Sequence, residues 1–137
     1  MEFSFDIEGG DFSRAGTASS EVKKILKQLN FSPGLIKKIA VAMYEAEVNI
    51  VAHAHKGKMK VDIDSDKIIL QFEDEGPGIS DIDKAMEEGF STATEQIRQM
   101  GFGAGMGLPN IKKNSDDLKI ESQVGKGTRL TITTYIK

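Results

Sequence analysis

Four glycines occupy alternate positions in residues 101–109, GFGAGMGLP, and a proline closes the segment. Glycine loses more backbone entropy on folding than any other residue, so such a segment is unfavourable unless something must approach the backbone closely. The spacing excludes a dinucleotide fingerprint, because Met106 and Leu108 stand where glycine is required, and the chain contains no P-loop motif. A predicted helix follows at 108–114, and the backbone N–H groups at a helix N-terminus are a natural site for phosphates.

The composition is that of an ordinary soluble globular chain. Its 137 residues, of which 39% are hydrophobic and 28% charged, favour one domain over residues 1–137. The net charge of −3 gives no general attraction to nucleic acid or to an anionic membrane, and the absence of cysteine excludes disulfides and thiolate metal sites. The acidic N-terminus does not resemble a signal peptide, and no apolar run approaches the roughly 20 residues that cross a bilayer. These features predict a cytoplasmic protein.

Apolar periodicity predicts a chain of helices and strands with a hairpin at its centre and another at its end. The predicted elements are, in order, a strand at 3–7, a helix from 17 or 19 to 29, a helix from 33 to about 55–57, strands at 59–63 and 68–72, short helices at 80–87 and 108–114, and strands at 118–124 and 128–136. Helices that cover one face of a mixed, mostly antiparallel sheet give an α+β fold, a two-layer sandwich.

The second predicted helix carries a polar stripe at Glu45, Asn49 and His53, which share one face because they are four residues apart. A solvated surface is the ordinary explanation, but the surrounding sequence VAMYEAEVNIVAHA is apolar nearly all round. Asparagine offers a neutral oxygen to Mg²⁺, and a glutamate one turn away can accept a proton from an attacking hydroxyl or water. His53 and His55 lack a third ligand for zinc, so His53 is interpreted as a satisfied core or interface histidine.

Asp74 ends a predicted strand, and the turn Gly76-Pro77-Gly78 follows it. This motif has two interpretations. It is a simple tight turn, for which glycine and proline are typical. Alternatively, the carboxylate recognises an exocyclic amine such as adenine N6, while the glycines let a flat ring approach the main chain. The residues of this segment alone leave both interpretations open.

Taken together, four motifs resemble the N, G1, G2 and G3 boxes of the GHKL superfamily, which includes gyrase, the heat-shock-90 chaperones, histidine kinases and MutL. Within this superfamily of Bergerat ATP-binding folds, the chain is most similar to the anti-sigma factors and switch kinases of bacterial partner-switching systems, which are small serine/threonine kinases. The resemblance covers essentially the whole chain. The four motifs are, in order, Glu45-x-x-x-Asn49, Asp74-x-Gly76-x-Gly78, Gly101-x-Gly103-x-Gly105-x-Gly107 and Gly125-x-Gly127-Thr128.

The resemblance implies ATP and Mg²⁺ as cofactors and assigns a role to each motif. Glu45 is expected to be the general base that acts on a protein serine or threonine hydroxyl. Asn49 is expected to coordinate the Mg²⁺ that bridges the triphosphate, and Asp74 to bind adenine N6. Residues 89–104 are expected to form a lid over ATP. Smaller residues complete the site: Gly76, Gly78 and Thr128 shape the base pocket, and Gly103, Gly105 and Gly107 pack around the phosphates.

Two functions are compatible with these motifs. The first is an ATP-dependent protein serine/threonine kinase that phosphorylates a small antagonist protein, with a sigma factor as a second partner and a homodimer allowed as the assembly. The second is a non-catalytic ATP sensor whose nucleotide state controls partner binding. Glu45 favours the kinase, because a sensor needs Asn49 and Asp74 but no base.

Overall fold

The computed structural model describes residues 1–79, 82, 86 and 107–136. Its elements are β1 (Glu2–Glu8), a short 3-10 helix (Phe12–Arg14), α1 (Thr17–Gln28), α2 (Pro33–His53), β2 (Lys56–Ile63), β3 (Lys67–Glu75), α3 (Gly107–Lys113), β4 (Asp117–Gln123) and β5 (Gly127–Tyr135). Except for the 3-10 helix, each lies close to a predicted element. Of the predicted helix at 80–87, Ile82 and Met86 are described, and the Met86 N–H donates to the Ile82 carbonyl over 3.1 Å. The predicted lid at 89–104 lies outside the described residues.

The strands form a five-stranded sheet in the order β1-β2-β3-β5-β4. Each of the four neighbouring pairs is antiparallel. The α+β class is therefore confirmed, and the sheet is purely antiparallel in the described part of the chain, where sequence analysis allowed a mixed one. Within these same residues, the structure contains no helix with the length and hydropathy of a membrane span.

The helices pack on one face of the sheet, where alternate strand residues are buried. The inward positions of the neighbouring strands β2 and β3 include Met59 and Val61 on β2 and Leu70 and Phe72 on β3, all at most 1% exposed. They belong to one core with the buried side chains of α1, α2 and α3. Because a side chain on the neighbouring position points to the other face, this register fixes which strand residues can reach the helices.

Helix α2 is the longest element, and local sequence signals set its beginning. The Ser32 hydroxyl accepts the Leu35 N–H over 3.3 Å, and Pro33 occupies the first turn, as the sequence predicts. The helix ends at His53, slightly earlier than predicted, because Ala54 is extended and the His55 N–H donates to the Glu75 carbonyl over 2.8 Å. The chain thus joins the sheet immediately after the helix.

Gly57 allows the C-terminal half of α2 to pack tightly against the sheet. A Cβ atom at this position would lie 2.9 Å from side-chain carbons of Ile50 and 2.8 Å from the Glu73 carbonyl oxygen. In the sheet, Gly57 is the register partner of Asp74. A missing side chain on β2 therefore brings α2 close to the strand pair that carries Asp74.

The buried carboxylate of Glu47 joins α2 to the beginning of α1, a contact that sequence analysis did not predict. Helix α1 begins after Gly16 with no side-chain cap and no acidic residue in its first turn. Glu47, which is 2% exposed, accepts the N–H groups of Gly16 over 3.0 Å and Ala18 over 3.3 Å. It also accepts the N–H and the hydroxyl of Ser19 over 2.8 and 2.6 Å. A residue 28 positions away in sequence thus supplies the cap that α1 lacks locally.

We expect Glu47→Ala to destabilise the fold strongly, because it leaves three buried N–H groups and a buried hydroxyl without their acceptor. The expected loss in the free energy of unfolding is about 3 kcal/mol or more, since each unsatisfied buried group costs about 1–3 kcal/mol. Urea denaturation measures this loss, with the exposed α1 residue changed in Glu21→Ala as the matched control. A loss no larger than in the control would contradict the capping role.

Candidate functional site

Glu45 and Asn49 project from α2 toward α3, and both are half-buried. Helix α3 packs against α2. The Asn110 side chain on α3 hydrogen-bonds the Glu45 carboxylate, and Gly107 at the start of α3 faces the Asn49 amide. The structure therefore brings two predicted site residues together at one helix pair, and it adds Asn110, which sequence analysis did not single out.

Gly107 permits this approach of the two helices. A Cβ atom at this position would lie 2.9 Å from Oδ1 and 3.0 Å from Nδ2 of Asn49. Even one methyl group would therefore displace the Asn49 amide or push α3 away. This contact explains why the last residue of the 101–107 cluster is a glycine: its backbone lies directly against Asn49, the predicted Mg²⁺ ligand.

Burial raises the pKa of the Glu45 carboxyl above its ordinary value, because the charged form loses hydration. The hydrogen bond from Asn110 acts in the opposite direction and favours the ionised form. A partly desolvated carboxylate with a raised pKa is a better proton acceptor than an exposed one. Asn110 favours the ionised form of this carboxylate and restrains its orientation.

Asp74 lies near the end of β3, opposite Thr128 on β5. Its Oδ1 atom accepts the Thr128 N–H over 3.2 Å. Burial raises the pKa of Asp74, and this hydrogen bond partly opposes the shift. The carboxylate keeps further lone pairs beyond the one that Thr128 uses, so it can accept another donor such as an amine.

The turn after β3 is tightly packed at both of its predicted glycines. A Cβ atom on Gly76 would lie 3.1 Å from Ala54 and 3.3 Å from Oδ1 of Asp74. Gly78 has a positive φ of 75°, and a Cβ there would collide with the backbone carbonyl of Gln123. Gly78 is thus required by its positive φ and by close backbone approach, and Gly76 packs tightly against Ala54 and Asp74, so the motif forms a closely packed turn.

Ser122 hydrogen-bonds both this turn and Thr128 on β5. The sequence did not predict this residue. Its hydroxyl accepts the Ile79 N–H over 2.7 Å and lies 2.9 Å from the Thr128 hydroxyl. The Gly125 N–H also donates to the Pro77 carbonyl over 2.9 Å. No signal in the sequence distinguishes Ser122 from other serines, because its partners come from a turn 43 residues earlier and from the next strand.

Three further residues singled out in the sequence are His53, Gly103 and Gly105. His53 is half-buried, burial lowers its pKa, and it lies in no cluster of three or more potential metal ligands within the described residues. Its interpretation as a satisfied core or interface histidine stays a prediction. Gly103 and Gly105, predicted to pack around phosphates, lie outside the described residues.

The donor set fits ATP with Mg²⁺ better than it fits a protein-bound metal alone. In the described ranges no group of three or more His, Asp or Glu could hold a metal ion. Mg²⁺ is commonly held by one or two protein oxygens together with substrate phosphates and water, which needs no such cluster. The Asn49 amide, which lies beside Gly107, can supply one protein oxygen, and the Asp74 carboxylate offers an acceptor for an amine.

Comparison with known proteins confirms the resemblance. Residues 34–136 match the family described as histidine kinase-, DNA gyrase B-, and HSP90-like ATPase. An anti-sigma F factor of Thermoanaerobacter sp. (strain X514) is 36% identical over 99% of this chain and 93% of its own length. The serine/threonine-protein kinase RsbT of Bacillus subtilis is 32% identical over 84% of each chain.

A solved structure shows the same fold at much lower identity. A chain in the crystal structure of the SiaB-SiaC complex from Pseudomonas aeruginosa aligns with a TM-score of 0.60 and 11% identity. The alignment covers 98% of this chain and 89% of that one. At this identity the likeness concerns the fold alone.

We expect Asn110→Ala to raise the pKa of Glu45 further, because it removes the hydrogen bond that favours the ionised form and leaves the effect of burial. The measurement is a pH titration of the glutamate carboxyl carbons by NMR. Glu121, whose pKa a hydrogen bond from Lys119 lowers, provides an internal reference that is expected not to move. A Glu45 pKa that stays unchanged in the variant would show that Asn110 does not act on this carboxylate.

Proposed function

We propose that this chain, which belongs to the family of histidine kinase-, DNA gyrase B- and HSP90-like ATPases, is an ATP-dependent protein serine/threonine kinase with a regulatory role. The observation that carries the proposal is the Glu45 carboxylate, half-buried, hydrogen-bonded by Asn110 and one helical turn before Asn49. The names of two kinds of relative support the same function: one is a serine/threonine-protein kinase, and others are anti-sigma F factors.

Glu45 acts as the general base in this proposal. The hydroxyl of a protein serine or threonine gives its proton to the carboxylate as its oxygen attacks the terminal phosphorus of ATP; the bond from that phosphorus to the bridging oxygen breaks, and ADP leaves. Most of the catalysis of phosphoryl transfer consists of positioning and charge stabilisation, with a carboxylate orienting the hydroxyl. Asn110 supports this role because it fixes the carboxylate and favours the ionised form.

Asn49 holds Mg²⁺ in this proposal, and Mg²⁺ supplies charge neutralisation at the phosphates when it is bound. The close approach of Gly107 to the Asn49 amide supports the role, because a side chain at position 107 would displace the amide. Glu45 and Asn49 lie four residues apart on α2, so the base and the metal ligand are held on one rigid element. Rigid elements position reacting groups more accurately than loops do.

Asp74 recognises the adenine amine in this proposal. Its carboxylate is anchored by the Thr128 N–H, and its remaining lone pairs can accept the adenine amine. Ser122 supports the pocket because it fixes Thr128 to the turn. We also infer that residues 1–137 form one ATP-binding domain, since these groups come from helices and strands that share one core.

The proposed protein partner is a small antagonist that receives the phosphate, and a sigma factor is proposed as a second partner. The names of the anti-sigma F factor relatives support this choice. The ATP sensor remains the competing function, and phosphoryl transfer separates the two.

We expect Asp74→Asn to weaken ATP and ADP binding to a similar extent, because the adenine amine is common to both. An amide donor that faces the amine removes one hydrogen bond, at a cost of about 1–3 kcal/mol, or about 5- to 150-fold in Kd. Calorimetry with both nucleotides measures the change, with Asp62→Asn on the exposed side of β2 as the matched control. Equal affinities of the wild-type and Asp74→Asn proteins for ATP and ADP would exclude Asp74 as the residue that binds adenine.

We expect Glu45→Gln to keep ATP binding and to lose phosphoryl transfer by roughly 10²–10⁴-fold, the usual contribution of a general base. The assay combines labelled ATP with a candidate antagonist protein from the same genome, and Glu21→Gln on α1 is the control. Transfer at the wild-type rate in Glu45→Gln would exclude this residue as the base. The absence of transfer by the wild-type protein to such partners would favour the ATP sensor.

A further inference from the structure

A groove between α1 and α2 leads to the proposed base. It has a volume of about 820 Å³, similar to that of small-ligand pockets, so it can receive several side chains. Its lining runs from the ends of the two helices near Asn30 and Pro33 to Tyr44 and Glu45. Glu45 itself is one of the lining residues, so a segment in the groove would lie next to the proposed base.

The floor of the groove is apolar. Phe31, Ile36, Ala40 and Val41 line it, and Tyr44, which is 44% exposed, stands beside Glu45. Exposed aromatic rings next to a concave apolar surface are typical anchors of protein interfaces. The shape and polarity of this surface fit the side chains of a protein segment.

The rim of the groove is positively charged although the chain as a whole is negative. Residues 23–38, KKILKQLNFSPGLIKK, contain five lysines and no acidic residue, in a chain of net charge −3. Lys23, Lys27 and Lys37 line the groove. In the part of the chain that the structure describes, these three make no salt bridge, whereas Lys24 pairs with Glu21 and Lys38 with Asp116. Three cations on the rim thus remain available to a partner.

We propose that this groove docks an acidic segment of the protein substrate and thereby delivers its acceptor hydroxyl to Glu45. The proposal rests on the kinase function argued above, and it commits to a partner segment with carboxylates that face the three lysines and an apolar side chain that enters beside Tyr44. Complementary charge on the rim steers encounter and selects the partner, while the apolar floor supplies contact area. The nucleotide is a poorer occupant, because its proposed adenine site is at Asp74 on the sheet.

The first test measures binding without phosphoryl transfer. The probe is a synthetic 15-residue peptide with leucine at every fourth position and glutamates between, and its counterpart carries lysines instead. In NMR titrations of the full chain, we expect the acidic peptide to shift the amide signals of residues 23–45, and the basic peptide to leave them unchanged. No shifts up to millimolar peptide, or equal shifts with both peptides, would overturn the proposal. Shifts that depend on protein concentration alone would assign the groove to a second copy and overturn it as well.

The second test uses phosphoryl transfer to a candidate antagonist protein. We expect Lys23→Glu combined with Lys27→Glu to raise the KM for the protein substrate about tenfold, equivalent to about 1.4 kcal/mol, with kcat and ATP affinity unchanged. The control combines Lys58→Glu with Lys60→Glu on the exposed side of β2, which changes the net charge equally. An unchanged KM in the groove variant, or the same rise in the control, would overturn the docking role.

The two tests separate this proposal from the kinase function. Groove-dependent peptide binding without any phosphoryl transfer would support docking and contradict the kinase. Transfer with a KM that is insensitive to the groove lysines would support the kinase and contradict docking.

Discussion

The buried carboxylate of Glu47 is the interaction on which the arrangement of the two long helices depends. Helix α1 has no cap of its own, and its first N–H groups are satisfied by a side chain of α2. A buried charge of this kind requires its full set of donors, so it fixes the position of α1 relative to α2 rather than merely adding stability. The Glu47 contact holds α1 and α2 at the separation that forms the groove between them. Near Glu45, Tyr44 packs over Gly16.

Different faces of helix α2 contact three neighbouring parts of the fold. Glu47 faces α1, Ile50 packs over Gly57 on the sheet, and Glu45 and Asn49 face α3. The groups proposed for chemistry are half-buried, which is enough to raise the pKa of Glu45 while still admitting a substrate. The missing side chains at Gly57 and Gly107 set how closely the sheet and α3 approach this helix.

The sequence predicts this molecule well wherever the determinants are local. Alternating apolar residues located the strands, and the Ser32 and Pro33 pair located the start of α2. The motif order singled out Glu45, Asn49 and Asp74, whose roles stay predictions. Glu47, Asn110 and Ser122 were not predicted, because each acts on a partner distant in sequence and none belongs to a local pattern. Glu47 in particular is one more polar residue on a helix that is apolar nearly all round, and only its 2% exposure shows that the side chain is buried.

The central claim is that the protein, with the half-buried Glu45 beside Asn49 as its general base, transfers the terminal phosphoryl group of ATP to a protein hydroxyl rather than only sensing ATP. The most direct measurement follows ADP and phosphoprotein in the same reaction of the full chain with labelled ATP and a candidate antagonist protein. A kinase forms one phosphoserine or phosphothreonine on the partner for each ADP. ADP that accumulates without phosphoprotein would indicate an ATP hydrolase, and nucleotide-dependent binding of the partner with neither product would indicate a sensor. Either result would contradict the claim.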